Sequence, residues 1–212
     1  MMRMKKTFLS FGGLLYVAVG LIILGIGGCS AVRGDAALRA GHPDVAAELY
    51  QRGAEQGNGA AAFRLGLLVS EGRVSAAKYG TAAEWYVKAC DRGVRPGCHN
   101  TGVYYEEGKN GVTKDYGVAR MYYLKAAERG YMQSQYNLAS MYSNNNISPP
   151  DDIEGLKWML LAQTAALQCK QEPLCQWILS DPPGHKHRLI ERLSVEEQQK
   201  AKSLVLAWKP IK

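Results

Sequence analysis

Five cysteines and four histidines are the side chains best suited to chemistry in this chain. Cys90 stands close to Cys98, and Cys169 to Cys175. Close thiols can hold zinc, exchange electrons or form disulfides. Neither spacing matches a zinc site, and no histidine lies at ligand spacing from either pair, so no metal is expected. His185 and His187, in "GHKHR", are the only close histidines. An acid–base or metal role needs convergent partners that the sequence does not offer, and the pair is expected in an exposed loop. Asp151 and Asp152 follow two prolines and precede a helical pattern, which makes N-capping their expected role. There is no G-x-S-x-G, no Walker glycine loop and no H-E-x-x-H. The expectation is a non-enzyme without cofactor, whose work is done by a surface.

A chain of 212 residues makes one compact domain or one repeat array. With 47% hydrophobic and 21% charged residues it can build a core. The formal charge of +7 invites a nucleic-acid or membrane reading. Setting aside Arg3, Lys5 and Lys6, which lie in an acid-free leader, leaves 23 bases against 19 acids. That remainder is modest and scattered, with no basic stripe interleaved with aromatics, so no nucleic-acid partner is expected.

The leader bears on location. "MMRMKK" is basic, and "FLSFGGLLYVAVGLIILGIGG" is an uncharged apolar run. It closes on "IGGCS", Ile26 to Ser30, which resembles the bacterial lipobox. That resemblance implies that residues 1–28 are a signal peptide, that Cys29 is lipidated on sulfur, and that 29–34 form a tether. Ser30 at the second position, where aspartate would retain the protein, implies sorting to the outer membrane. The alternative is an uncleaved anchor: Phe8 to Gly28 is 21 residues, which at about 1.5 Å each could cross a hydrocarbon core about 30 Å thick. Either way the rest of the chain is expected in the cell envelope, tethered and facing the periplasm. That compartment is oxidising, which favours disulfides among the four remaining cysteines.

The architecture is set by repetition. Leu49-Tyr50, Trp85-Tyr86, Tyr122-Tyr123 and Trp158-Met159 are spaced by 36, 37 and 36 residues. Gly57, Gly93 and Gly130 keep that step, as do Leu65-Gly66, Thr101-Gly102 and Leu138-Ala139. Each unit has two helical apolar patterns, such as Ala82, Trp85, Tyr86, Ala89 and Cys90. The glycines fall where a left-handed C-terminal cap is wanted. Small residues at Gly66, Gly102 and Ala139 would let paired helices approach, with an aromatic from the partner helix filling the space.

The pattern A-x-x-x-L-G-x-x-Y-x-x-G followed by A-x-x-W-Y-x-K-A-A-x-x-G resembles the Sel1-like repeat, a relative of the tetratricopeptide repeat. "CHNTGVYYEEGKNGVTKDYGVARMYYLKAAERG", Cys98 to Gly130, is the best copy. Ala62 to Gly93 also matches well, Gln135 to Gln168 is looser, and Asp35 to Gly57 supplies mostly a second helix. The resemblance implies an all-α, right-handed superhelical solenoid of antiparallel helix pairs, about three to four repeats across residues 35–180. One pair cannot bury its apolar face alone, so stacking is needed. In such a stack Cys90 and Cys98 are neighbours across a junction, and the spacing is similar to that of cysteine-rich family members with structural bridges. Cys169 and Cys175 sit at the next junction.

Residues 181–212 read as a cap. Ser194 and Glu197 form an S-x-x-E capping box, and Val195, Ala201, Leu204, Val205 and Trp208 are expected to close the last open face. On the first helices, Arg64 and Leu68, Asn100 and Tyr104, and Asn137 and Met141 recur at the repeat period. They are expected as one partner-binding stripe, of a composition suited to protein recognition. Short Sel1-like lipoproteins resemble the immunity proteins paired with phospholipase effectors of type VI secretion. That likeness implies a phospholipase toxin as protein partner, with an envelope-assembly scaffold as the alternative.

Overall fold

The computed structural model describes residues 30–147 and 150–211. Cys29 and the leader lie outside the described residues. Twelve α-helices are described, and no strand is found among the described residues. They are α1 (Ser30–Arg39), α2 (Pro43–Glu55), α3 (Gly59–Ser70), α4 (Ala76–Tyr79), α5 (Ala82–Asp91), α6 (Arg95–Glu107), α7 (Tyr116–Ala127), α8 (Met132–Ser143), α9 (Asp152–Ala166), α10 (Pro173–Ser180), α11 (His185–Arg192) and α12 (Val195–Ala207).

The helices form successive hairpins: α1 on α2, α3 on α5, α6 on α7, α8 on α9. Each second helix then packs on the next first helix, giving a helical solenoid. Local chemistry fixes the starts. Asn58 accepts from the Ala61 amide at 3.1 Å, Asp115 from Val118 and Asp151 from Glu154, both at 2.9 Å. Thr81 with Glu84 and Ser194 with Glu197 close reciprocal capping boxes. The short turns after α2, α5 and α7 need a left-handed residue: Gly57, Gly93 and Gly130 take φ of 86°, 78° and 79°. These turns lie together on one edge of the solenoid, and the longer connections lie on the other.

Two apolar clusters make the core. One centres on Tyr50, Leu65, Trp85 and Tyr86, the other on Tyr123, Leu138, Trp158 and Met159. Beside them a third, small cluster packs the Cys90–Cys98 disulfide with Ala126. It ties α5 to α6 across the junction between the second and third hairpins. Cys169–Cys175 ties the end of α9 to α10. Loops this short are worth about 2–3 kcal/mol each in the chain-entropy account.

Three details differ from the sequence reading. Residues expected as a tether are helical from Ser30, because Ala31 and Gly34 are buried against α2. The first unit is therefore a full helix pair. His185 is not in an exposed loop: it is 5% exposed and opens α11, since Gly184 at φ 68° turns the chain inward. Val195 does not help close the end, being 83% exposed directly after its cap. The last face is covered instead by Leu189, Ala201, Val205 and Trp208, which pack with the second cluster. Arg192 secures this cap. It grips Asp152 through two N–H groups at 2.8 and 2.5 Å and donates to the Ser143 and Tyr142 carbonyls at the end of α8.

Candidate functional site

The inner face of the solenoid is floored by tyrosine hydroxyls. In each of the first three hairpins a tyrosine of the second helix crosses beneath a glycine of the first: Tyr50 under Gly34, Tyr86 under Gly66, Tyr123 under Gly102. Its ring is buried and its hydroxyl emerges on the far side, where polar groups wait. Tyr50 donates to Asp35 at 2.5 Å, and Asp35 also takes Arg64 at 2.7 Å. The Tyr86 hydroxyl meets Ser70 at 2.9 Å and bonds Asn100. Tyr123 donates to Glu106 at 2.6 Å and bonds Asn137. Burial raises all three phenols above their usual range, with the neighbouring carboxylates of Asp35 and Glu106 adding at Tyr50 and Tyr123. Burial also raises the Glu106 carboxyl. The fourth hairpin has Met159 and Ala139 at these positions, and the ladder stops there.

This layout divides the expected stripe. Arg64, Asn100 and Asn137 are half-exposed on the inner face, each tied into the ladder. Leu68, Tyr104 and Met141 are buried, at 2%, 7% and 0% exposed, and of the three Tyr104 alone reaches the wall of the groove between α3 and α6. A step of four residues on a helix turns about 40° past the starting direction, and here that direction points into the hairpin. A step of three turns the other way. Leu67, Val103 and Ser140, at that step, are the half-exposed companions. They recur at the same 36 and 37 spacing, so the signal was present one position away.

Between α3 and α6 this face opens into a groove of about 500 Å³, with Leu67, Asn100, Val103 and Asn110 among its walls. Its walls mix apolar, aromatic and amide side chains with Lys109, a composition suited to a protein segment. Among the described residues no group of three His, Cys, Asp or Glu side chains could hold a metal. One arrangement invites a catalytic reading: Ser143 Oγ lies 2.7 Å from His185 Nδ1. However, Arg188 Nη2 lies 2.6 Å from the same nitrogen. A guanidinium only donates, so Nδ1 accepts and His185 is neutral with its proton on Nε2. Ser143 is 2% exposed, which makes the trio a clamp between α8 and α11. His187, by contrast, is exposed and pairs with Glu191 at 2.9 Å.

The Sel1 repeat profile matches residues 43–58, 59–94, 96–131 and 133–162, more than half the chain. The chain belongs to the Sel1 repeat family. The matched blocks coincide with the hairpins described above, beginning at α2. No curated protein matches the sequence. Among solved structures, a Sel1 repeat protein from Oxalobacter formigenes superposes with a TM-score of 0.58 at 22% identity, over 84% of this chain and 71% of that one. A protective antigen of uropathogenic Escherichia coli, described as displaying an SLR fold, gives a TM-score of 0.44 at 21% identity, over 78% of this chain and 48% of that one. The present chain thus spans about half the length of that antigen. Sel1 repeats are typically non-catalytic modules that mediate protein–protein interaction.

Proposed function

We propose that this chain is a membrane-tethered, periplasm-facing Sel1 module that binds a protein partner on its inner face. The best candidate for the partner is a phospholipase toxin of type VI secretion, which the chain would neutralise as an immunity protein. The observation that carries the binding role is the inner groove walled by Leu67, Asn100 and Val103, on a floor held rigid by the tyrosine ladder. A pre-organised surface loses little entropy on binding, which suits tight occlusion of an active site. The lipobox-like "IGGCS" supports the tether, outer-membrane placement and lipidation of Cys29.

The test is affinity capture of the chain with Cys29→Ser from a native envelope extract. The captured protein is then assayed for phospholipid hydrolysis with and without added chain. One stoichiometric lipase, silenced by the chain and footprinting residues 64–140, is the expected result. A spread of envelope-assembly components, or a lipase unaffected by the chain, would overturn the immunity reading.

A further inference from the structure

The short-turn edge of the solenoid collects bases that the sequence disperses. Arg52, Lys88 and Lys125 recur at 36 and 37 residues, in the last turns of α2, α5 and α7. Arg92 and Arg129 follow four residues after the second and third, and Arg95 opens α6. Only Glu55, Asp91 and Glu128 oppose these six bases in the same turns. Spatial continuity is explicit: a Cβ built at Gly57 would lie 3.4 Å from the Arg92 guanidinium, and Arg95 donates to the Arg129 carbonyl at 3.0 Å.

None of the six forms an ion pair with a carboxylate of the described residues. On the long-connection edge Lys114 also lacks a carboxylate partner among the described residues, but three other bases are paired. Arg73 pairs with Glu71 at 3.7 Å, Lys78 with Glu48 at 3.4 Å and Lys109 with Glu107 at 2.5 Å. Two apolar groups sit on the basic edge as well. The tail returns there, with the Ile211 amide donating to the Glu128 carbonyl at 2.8 Å; Ile211 is 55% exposed and Trp208 is half-buried beside Gly130. Ser30 starts α1 on this same edge, packed against Gly53. The residue that precedes it is Cys29.

We infer that the short-turn edge is a docking face for an anionic phospholipid surface. Unpaired cations within a Debye length of such a surface are attracted to it, and an indole beside them suits the headgroup boundary. The charge argument stands without the lipid anchor. If the tether reading holds, the anchor emerges on the face that meets the bilayer.

The test is amine labelling of the full chain in the presence of two vesicle preparations, phosphatidylcholine alone and equimolar phosphatidylcholine and phosphatidylglycerol. Lys88 and Lys125 should be protected only by the anionic vesicles, and high salt should release them. Lys78 and Lys109, on the opposite edge, should label equally in both. Replacing Arg92, Arg95 and Arg129 by glutamine should weaken protection on the order of a hundredfold, at about fivefold per base. The Lys78→Gln/Lys109→Gln/Lys114→Gln variant removes the same three charges from the opposite edge and should leave the protection of Lys88 and Lys125 unchanged. Equal labelling of Lys88 and Lys125 in both preparations overturns the proposal. So does protection of both edges alike, or protection by duplex DNA where vesicles give none. None of these results depends on finding the protein partner, so the two readings fail separately.

Discussion

Alanine at position 102 should destabilise the fold even though it improves helix propensity. A Cβ built on Gly102 would lie 2.6 Å from both Cδ1 and Cε1 of Tyr123. The ring is 0% exposed and its hydroxyl is fixed on Glu106 at 2.6 Å, so it has nowhere to slide. Overpacking of this kind costs about 1–3 kcal/mol, against a propensity gain of up to about 1 kcal/mol. A 2.6 Å approach places the cost in the upper part of that range, about 2–3 kcal/mol, so the expected net loss is roughly 1–2 kcal/mol. The fourth hairpin shows the compatible alternative, with Ala139 and Met159 at the corresponding positions and both 0% exposed. Transplanting that pair as G102A/Y123M should recover part of the loss. Urea unfolding of the parent, the two single variants and the double variant forms a cycle, with a coupling of at least about 1 kcal/mol favouring the double. Single costs that add to within about 0.5 kcal/mol, or a G102A chain as stable as its parent, would refute the reasoning. Gly117→Ala is the control. Its Cβ meets only Asp115 Oδ1, at 3.2 Å, and it should be neutral or slightly stabilising.

The other expectations are simpler. Alkylation before and after reduction should reveal four masked thiols, and C90A/C98A should lower stability by about 2–3 kcal/mol; four free thiols in the native protein would sink the staple role. Burial lowers His99 to about 4 and also lowers His185. The unfolded chain therefore takes protons near pH 6.5 that the native fold refuses, and stability falls as pH drops from about 6.5 towards 4, by up to about 3 kcal/mol from His99. The urea midpoint against pH should follow that slope, and His99→Gln should flatten it; an unchanged slope would remove His99 as the cause. Arg192→Lys keeps the charge but loses the fork on Asp152 and the reach to two α8 carbonyls. It should cost about 1–3 kcal/mol, and a thermal midpoint equal to the parent's would count against that role.

The hairpins and their glycine turns were legible because three markers share one period, and period carries the fold of a repeat. Position within a face was harder. Recurrence at the repeat period groups Leu68, Tyr104 and Met141 with Arg64, Asn100 and Asn137, yet only the neighbouring helix decides which side of that face is covered. His185 illustrates a second limit. Its burial depends on Ser143 and Arg188, the former 42 residues away, and nothing local announces such a pairing. Along the sequence the bases look scattered, although Arg52, Lys88 and Lys125 keep the repeat spacing. Their meaning appears only when three short turns are placed side by side.

The proposed recognition face and the proposed docking edge occupy different registers of the same repeat, which makes them separable. The tyrosine ladder uses the middle of each first helix, at Arg64, Asn100 and Asn137. The basic edge uses the ends of each second helix, a half-hairpin away. A solenoid resting on that edge would stand with its inner groove upright on the bilayer and open sideways, leaving Leu67, Val103 and Ser140 clear for a partner. Glutamine at Arg92, Arg95 and Arg129 should therefore release the chain from anionic vesicles without weakening a partner bound along the groove. Replacing Asn100 and Val103 by lysine should do the reverse, since a half-buried apolar wall and an amide bonded to Tyr86 give way to two like charges. Measuring both affinities on both variants decides the matter. If either variant loses both, the two faces are one site, and the division argued from the repeat geometry is wrong.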